Sequence, residues 1–198
     1  MNEHIHFDRI PRRLEICPDL CHTIRLATYS GLEVGRMPTM TPIDRLYLHL
    51  CTLRQSGIAA YSSQGGRYPF PIDEMMRSVV SDRLKLAGEH LQAGDSMVLA
   101  GHFRSAISRH YYAMYHSARA IVYAEEKGDD FERHSELPRH LPATLPDAPQ
   151  WESRLTDARL LRNQADYDPY PSGAVEWEPD ARQGLGKVVM MSDLGGLE

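Results

Sequence analysis

The sequence is poor in cysteine and in long apolar runs, and each shortage excludes a class of protein. Three cysteines among 198 residues are too few for a disulfide framework, so we expect reduced thiols. No apolar run approaches the roughly 18 to 20 residues that a membrane-spanning helix needs. The N-terminus also lacks the basic-then-apolar plan of a signal peptide. We therefore expect a cytoplasmic protein with no membrane partner.

The net charge is negative and unevenly distributed. The chain carries 22 basic and 27 acidic residues, a net charge of −5, and 42% of its residues are hydrophobic, as in ordinary globular proteins. Residues 1–70 hold eight basic and six acidic side chains, whereas residues 71–198 hold fourteen and twenty-one. Nonspecific binding to nucleic acid needs many phosphate contacts and so leaves a broad basic surface, which this composition excludes. Any nucleic-acid function must come from a local site.

Apolar residues recur every three or four positions after residue 70, which predicts a series of amphipathic helices. The predicted helices span about 73–92, 97–126 and 149–167, and a further helix begins near Pro179. Residues 93–96, which read Ala-Gly-Asp-Ser, are predicted to end the first helix and to cap the second. Four prolines make residues 127–150 a loop, with at most a short helical turn near 135–140.

Residues 1–70 are less regular, because prolines and glycines divide them into short pieces. One helix is predicted there, over about 42–55, and residues 62–66 read as a linker. We therefore predict an all-α fold, with an up-and-down helical bundle of four to five helices over residues 71–198. A short irregular N-terminal extension of unknown role, residues 1–70, precedes the bundle.

All three cysteines lie in this extension, and they raise the question of a zinc site. Cys17 and Cys21, with His49 and Cys51, would supply four sulfur or imidazole ligands. The His-x-Cys spacing is uncommon for zinc, and a thiol on an amphipathic helix usually packs against its neighbours. No phosphate-binding glycine loop or paired-carboxylate metal motif is present. We predict no metal and no cofactor, and the zinc alternative stays open.

Three separated segments carry a family resemblance. The first is the run S-A-I-S-R-H-Y-Y-A-M-Y-H-S-A-R-A over residues 105–120, and the second is His134-Ser135 in the loop. The third is L-R-N-Q-A-D-Y-D over residues 161–168, with Trp177 before the last helix. In this order and spacing, the segments resemble the HEPN family (higher eukaryotes and prokaryotes nucleotide-binding) over about residues 73–192.

The resemblance implies a small helical bundle that dimerises. Many members of the family are metal-independent endoribonucleases whose site lies at the dimer cleft. That site uses an arginine, an adjacent polar residue and a histidine a few positions later, and the histidine helps the RNA 2′-hydroxyl to attack the neighbouring phosphate. Other members are non-catalytic RNA-binding or assembly modules. Many occur beside a minimal nucleotidyltransferase, as toxin with antitoxin.

The motif histidine is missing from this chain. Arg162 and Asn163 stand at the positions of the motif arginine and its polar neighbour, but residues 164–169 read Gln-Ala-Asp-Tyr-Asp-Pro. Tyr167 stands where the imidazole belongs, and a tyrosine with an unperturbed pKa of about 10 is a poor general base near neutral pH. The resemblance therefore implies a site at Arg162, Asn163 and Tyr167 whose nuclease activity is weak or absent.

Residues on the second predicted helix extend this candidate site. Arg109 is predicted to contact RNA together with Arg162, and His116 is a speculative replacement for the missing base. Asp166, four residues after Arg162, could instead hold that arginine in a purely structural ion pair. His134 is expected to cap the turn that follows it.

We predict a homodimeric, RNA-associated protein that is a toxin-like or regulatory component of a toxin–antitoxin or defence system. The alternatives are an active metal-independent endoribonuclease and a non-catalytic protein–protein assembly module. A separate nucleotidyltransferase antitoxin chain is the expected protein partner. Tyr167 and Tyr170 are candidates for modification by that partner.

Overall fold

The structure, a computed structural model, describes residues 39–62 and 70–184. Its helices are α1 (Pro42–Leu50), α2 (Gln55–Ser62), α3 (Ile72–Leu99), α4 (Phe103–Glu126) and α5 (Ala148–Tyr167), with 3₁₀ turns at Leu137–His140 and Ala174–Trp177. Residues 178–184 are also helical. No strand occurs in these ranges, which confirms the predicted all-α fold. The helices slightly exceed the four to five expected.

Helices α3, α4 and α5 form the centre of the up-and-down bundle. His90 of α3 lies against His116 of α4. Closer to the C-terminal end of α3, Asp95 contacts His110 of α4. Since residue numbers rise along one helix as they fall along the other, α4 runs antiparallel to α3. Residues 100–102 make the turn between them, where Gly101 adopts a positive φ of 76° that favours glycine.

The predicted break at residues 93–96 is wrong, because α3 continues through these residues to Leu99. Gly94 is buried, and a Cβ at this position would overlap the imidazole of His110 on α4. The adjacent Asp95 accepts a hydrogen bond from His110 Nε2 at 3.0 Å. The glycine and aspartate therefore serve a contact between two helices, and this tertiary contact outweighs their preference for helix ends. His110 is 2% exposed and hydrogen-bonded.

Small side chains let α4 pack closely on its neighbours. Ala106, Ala113 and Ala120 of α4 are fully buried. The largest cluster of buried apolar residues joins α4 to α5 and to the loop before it, through Trp151 and Leu155 of α5 among others. The core thus lies along α4. Because α4 and α5 share this core, the side chains at their common surface keep a fixed position relative to one another.

Helices α1 and α2 pack against α3 and belong to the same compact unit, which begins at Met40. Thr41 caps α1 in a capping box with Asp44, and Pro42 occupies the first turn. The predicted helix over 42–55 is observed in part, since α1 ends at Leu50. Leu50 and Ile58 bury their side chains against α3 and α4, and the predicted division at residue 70 stays a prediction.

A buried ionic network fastens α1 to the bundle. Arg119 of α4 holds the carboxylate of Asp129 through two N–H donors, one of them Nε at 2.7 Å. Arg83 of α3 lies 3.6 Å from the same carboxylate and donates to the carbonyl oxygen of Cys51, just after α1. Asp129 N–H donates to the carbonyl of Leu53 at 2.7 Å. The single carboxylate of Asp129 therefore serves both arginines, while the buried Nε of Arg83 has no hydrogen-bond partner among the described residues.

The remaining predictions fall partly outside the described residues. The short helical turn near 135–140 is confirmed at Leu137–His140. Of the predicted linker over 62–66, only Ser62 is described, as the last residue of α2. Cys17 and Cys21 of the zinc alternative lie outside the described residues. Within the described ranges, no group of three or more side chains could hold a metal ion, and no helix is long and apolar enough to cross a bilayer.

Candidate functional site

The motif arginine, Arg162, lies near the end of α5 with its guanidinium turned toward α4. Its Nη2 donates a hydrogen bond to Tyr112 Oη at 2.7 Å, and Nη1 donates to Asn163 Oδ1 at 3.1 Å. Its Nε lies 2.8 Å from Asp166 Oδ2, so the ion pair predicted with Asp166 is confirmed. A guanidinium has five N–H donors. Each terminal nitrogen of Arg162 therefore keeps one donor for a further acceptor.

Tyr112 of α4 is the hub of a cluster of aromatic rings and charges. Arg162 Cζ lies 5.2 Å from the centre of its ring, a cation–π contact. Its ring centre lies 5.5 Å from that of His90, 6.1 Å from that of His134 and 6.4 Å from that of His116. Three histidines from α3, α4 and the loop therefore surround the tyrosine that holds the motif arginine.

His90 and His116 form a stacked pair on the side of Tyr112 toward α3. Their ring centres are 5.3 Å apart and their planes are parallel within 1°. Arg109, one of the predicted RNA-binding residues, is exposed, and its Nη1 lies 3.4 Å from His90 Nδ1. The structure thus brings Arg109 and His116 into the same cluster as Arg162, although the three residues come from two different helices.

His134 approaches the cluster from the loop. Its Nδ1 lies 2.5 Å from the hydroxyl of Tyr111, and its ring stacks on Tyr115 with the ring centres 4.0 Å apart. Burial raises the pKa of Tyr111, so the hydroxyl keeps its proton at neutral pH. In place of the expected cap on the following turn, these contacts fix the imidazole on the surface of α4. The residue as a whole is exposed.

Burial and nearby arginines keep the three imidazoles neutral. Burial, and then the charge of Arg109, lower the pKa of His90. Burial, and then the charge of Arg162, lower that of His134. For His116, burial and then His90 lower the pKa to about 4. The positive charges that act on these rings indicate a locally basic site on a chain of net charge −5.

Arg159 is a member of this cluster that the sequence reasoning missed. It precedes Arg162 by one turn of α5, and positions 155, 159, 162 and 166 share one face of the helix. Leu155 on this face is buried against α4, and the Nε of Arg159 is itself buried. The three-residue spacing between the two arginines was the available signal, and it is a weak one in a chain with 19 arginines.

The other predicted motif residues lie at the rim of the cluster. Asn163 is half-buried and accepts the hydrogen bond from Arg162. Tyr167 is 73% exposed, and its ring centre lies 5.7 Å from Arg162 Cζ. Tyr170, also a candidate for modification, is 77% exposed. Exposure leaves both hydroxyls accessible, and their modification stays a prediction.

One protein-family model matches the chain. The model of the HEPN domain family matches residues 80–190, which is more than half of the chain. The chain belongs to the HEPN family. HEPN domains often dimerise and bind RNA, and the family includes nuclease-like and toxin–antitoxin proteins. No curated protein and no solved structure matches the chain significantly.

In this HEPN domain, the groups around Arg162 come from several parts of the chain. The arginine and its polar neighbour are present, and no histidine occurs over residues 164–169. The imidazoles near Arg162 come from α3, α4 and the loop instead. Neutral histidines, tyrosine hydroxyls and partly free guanidinium groups can bind an anionic ligand by hydrogen bonds and can stack on its planar groups.

Proposed function

We propose that this HEPN protein binds RNA at the Tyr112-centred cluster, as a toxin-like or regulatory component of a toxin–antitoxin or defence system. The proposal rests mainly on the contacts of the Arg162 guanidinium. Its guanidinium is held by Tyr112, Asn163 and Asp166, and one donor on each terminal nitrogen stays available. Guanidinium groups with two free donors suit the oxygens of a phosphate.

The surroundings of Arg162 favour binding over rapid cleavage. Asp166 neutralises part of its charge, which weakens the stabilisation of a developing phosphorane. His116, the candidate base, has a pKa lowered to about 4 by burial and by His90. Proton transfer at neutral pH is most efficient with a pKa near 7. We therefore propose that cleavage is slow or absent.

Active endoribonuclease is the second candidate function, and one observation favours it. Three imidazoles lie around Tyr112, so the missing motif histidine does not leave the cluster without a proton-transfer group. In this case Arg162 and Asn163 would hold the phosphate. An imidazole of the cluster, such as that of His116, would accept the proton of the 2′-hydroxyl. The products would carry 2′,3′-cyclic phosphate ends.

RNA binding and RNA end-group analysis separate these functions. We expect the purified protein to bind short single-stranded RNA in a fluorescence anisotropy titration, and we expect Arg162→Ala to weaken the affinity about tenfold, as loss of a charged hydrogen-bonding group does. Abundant 2′,3′-cyclic phosphate ends that disappear in Arg162→Ala would favour the nuclease. Recovery of a protein partner with no affinity for RNA would favour an assembly module.

The partners follow from the family. We propose a homodimer in which α4 and α5 contribute to the interface, and a separate nucleotidyltransferase as antitoxin. Sedimentation of the purified chain tests the first proposal. Mass spectrometry of Tyr167 and Tyr170 after co-expression with the neighbouring gene product tests the second, and the absence of a nucleotidyl mass would contradict it.

A further inference from the structure

Arg159 is a partly buried arginine with unused donors. Within residues 39–62 and 70–184, no hydrogen bond or ion pair involves its guanidinium, and its Nε is shielded from solvent without a partner. Its terminal nitrogens are not shielded and have no protein acceptor among the described residues. The guanidinium of Arg159 is therefore free to take an anion or another acceptor.

The position of Arg159 indicates where this partner lies. Position 159 lies one helical turn from Arg162, on the same face of α5 as the buried Leu155. Its charge acts on the hydroxyl of Tyr111 and on the ring of His134, which are hydrogen-bonded to each other. The ligand of Arg159 would thus lie between α5 and the loop, next to the free donors of Arg162.

Arg162 offers a phosphate only the free donors on its terminal nitrogens. Asp166 lies 2.8 Å from its Nε, and the carboxylate competes with any incoming anion. Arg159 has no such competitor among the described residues. His134 adds a ring held in place by Tyr111 and Tyr115 and open to solvent on its outer side. Arg159 and His134 are therefore freer than Arg162 to bind a phosphate.

We propose that Arg159 and His134 complete the RNA site of Arg162, with the unpaired guanidinium of Arg159 contacting a backbone phosphate beside Arg162. His134 contacts the same phosphodiester as a hydrogen-bond donor from the loop. The missing motif histidine is in this way replaced by a residue from a different part of the chain. This inference rests on the proposed RNA-binding function and names the groups that carry it.

The test compares Arg159→Gln and His134→Gln with a matched control. Arg182→Gln removes the same charge from an exposed ion pair with Glu178 in the last described helix, away from the cluster. Affinity for a fluorescein-labelled single-stranded RNA of mixed sequence is measured over a range of salt concentrations. We expect Arg159→Gln to weaken binding about tenfold and His134→Gln about threefold, as for one charged and one neutral hydrogen bond. Arg182→Gln should bind as wild type.

The salt dependence separates a phosphate contact from a structural role. Loss of one contact to single-stranded nucleic acid lowers the slope of log K against log salt by about 0.7. We expect this reduction in Arg159→Gln and no change in the thermal unfolding temperature beyond that of Arg182→Gln. A merely structural arginine would instead lower the unfolding temperature and leave the slope unchanged.

Several outcomes would overturn the inference. If Arg162→Ala weakens RNA binding while Arg159→Gln binds as wild type, the proposed function stands and this inference fails. If Arg159→Gln changes only the dissociation of the dimer, its partner is a protein carboxylate and the inference also fails. If the wild-type protein binds no RNA, the proposed function fails first, and the inference fails with it.

Discussion

Two arginine clusters on the same helical bundle differ in how completely their charges are paired. In the buried network, Arg83 and Arg119 share the carboxylate of Asp129, which is 5% exposed. In the Tyr112-centred cluster, Arg162 keeps unused donors and Arg159 has no partner among the described residues. We call the first cluster closed, because both of its arginines have a counter-charge although Arg83 Nε lacks a hydrogen-bond partner, and we call the second cluster open.

The difference shows how an arginine-rich chain separates stability from binding. Paired, buried charges fasten α1 to α3 and α4, and their loss leaves an unpaired charge in the interior. Partly free guanidinium groups at a surface cost little in the folded state and can still take up a phosphate. Changes in the first cluster should therefore affect stability, and changes in the second should affect RNA affinity.

Asp129→Ala should have the largest effect. It leaves the guanidinium groups of Arg83 and Arg119 buried without a counter-charge, which costs about 3–5 kcal/mol of unfolding free energy. Urea denaturation followed by circular dichroism measures this loss. Asp166→Ala is the matched control, because it removes a partly exposed pair and should cost at most about 1 kcal/mol. Equal losses in the two variants would contradict the division into closed and open clusters.

Acid should destabilise the protein through His116. Burial and the neighbouring His90 lower its pKa to about 4, below the usual 6.5, so the folded state favours the neutral ring. Between these two pKa values the unfolded chain binds more protons, and stability therefore falls as the pH is lowered from 6.5 toward 4. Above pH 6.5 this contribution is complete.

His116→Gln should flatten this part of the stability profile. Thermal unfolding at a series of pH values measures the profile, and His102→Gln, an exposed histidine before α4, is the control. An identical loss of stability toward acid in wild type and His116→Gln would show that other groups cause it.

Two tyrosine variants should separate the clusters more finely. Tyr123→Phe removes a buried hydroxyl that donates to the carbonyl of Leu50, and we expect a loss of about 1 kcal/mol in unfolding free energy. Tyr112→Phe removes the acceptor of Arg162 Nη2 at the half-buried hub. It should weaken RNA binding about threefold with a smaller loss of stability. If Tyr123→Phe weakened RNA binding and Tyr112→Phe mainly lowered stability, the RNA site would lie at the Asp129 network and our assignment would be wrong.

Arg182→Gln should have the smallest effect. Its ion pair with Glu178 is an exposed contact between positions four residues apart, and such pairs contribute about 0.3–0.5 kcal/mol. Both unfolding free energy and RNA affinity should stay near the wild-type values. A marked change in RNA affinity would extend the binding site beyond the Tyr112-centred cluster.

Much of the fold could be predicted because it follows from local patterns. The apolar period and the flanking prolines of α5 predicted 149–167, and the helix spans Ala148–Tyr167. The continuity of α3 through residues 93–96 could not be predicted. It depends on the contact of Gly94 with His110, which exists only when the two helices are packed. Local propensity pointed the other way.

The candidate site was predictable only where one segment carried it. Arg162 and Asn163 followed from the motif, and the ion pair with Asp166 followed from helical spacing. The approach of His90 and His134 to Tyr112 joins α3, α4 and a proline-rich loop, and no sequence spacing encodes it. The lack of a partner for Arg159 depends on how the side chains around it are packed and paired, which the sequence does not show.

The salt dependence of RNA affinity tests most directly the central claim of a local basic site on an acidic protein. Each phosphate contact to single-stranded nucleic acid contributes about −0.7 to the slope of log K against log salt. Two or three contacts, at Arg159, Arg162 and Arg109, therefore predict a slope of about −1.4 to −2. A slope near zero, or one as steep as about −4 that requires six or more phosphates, would contradict the claim.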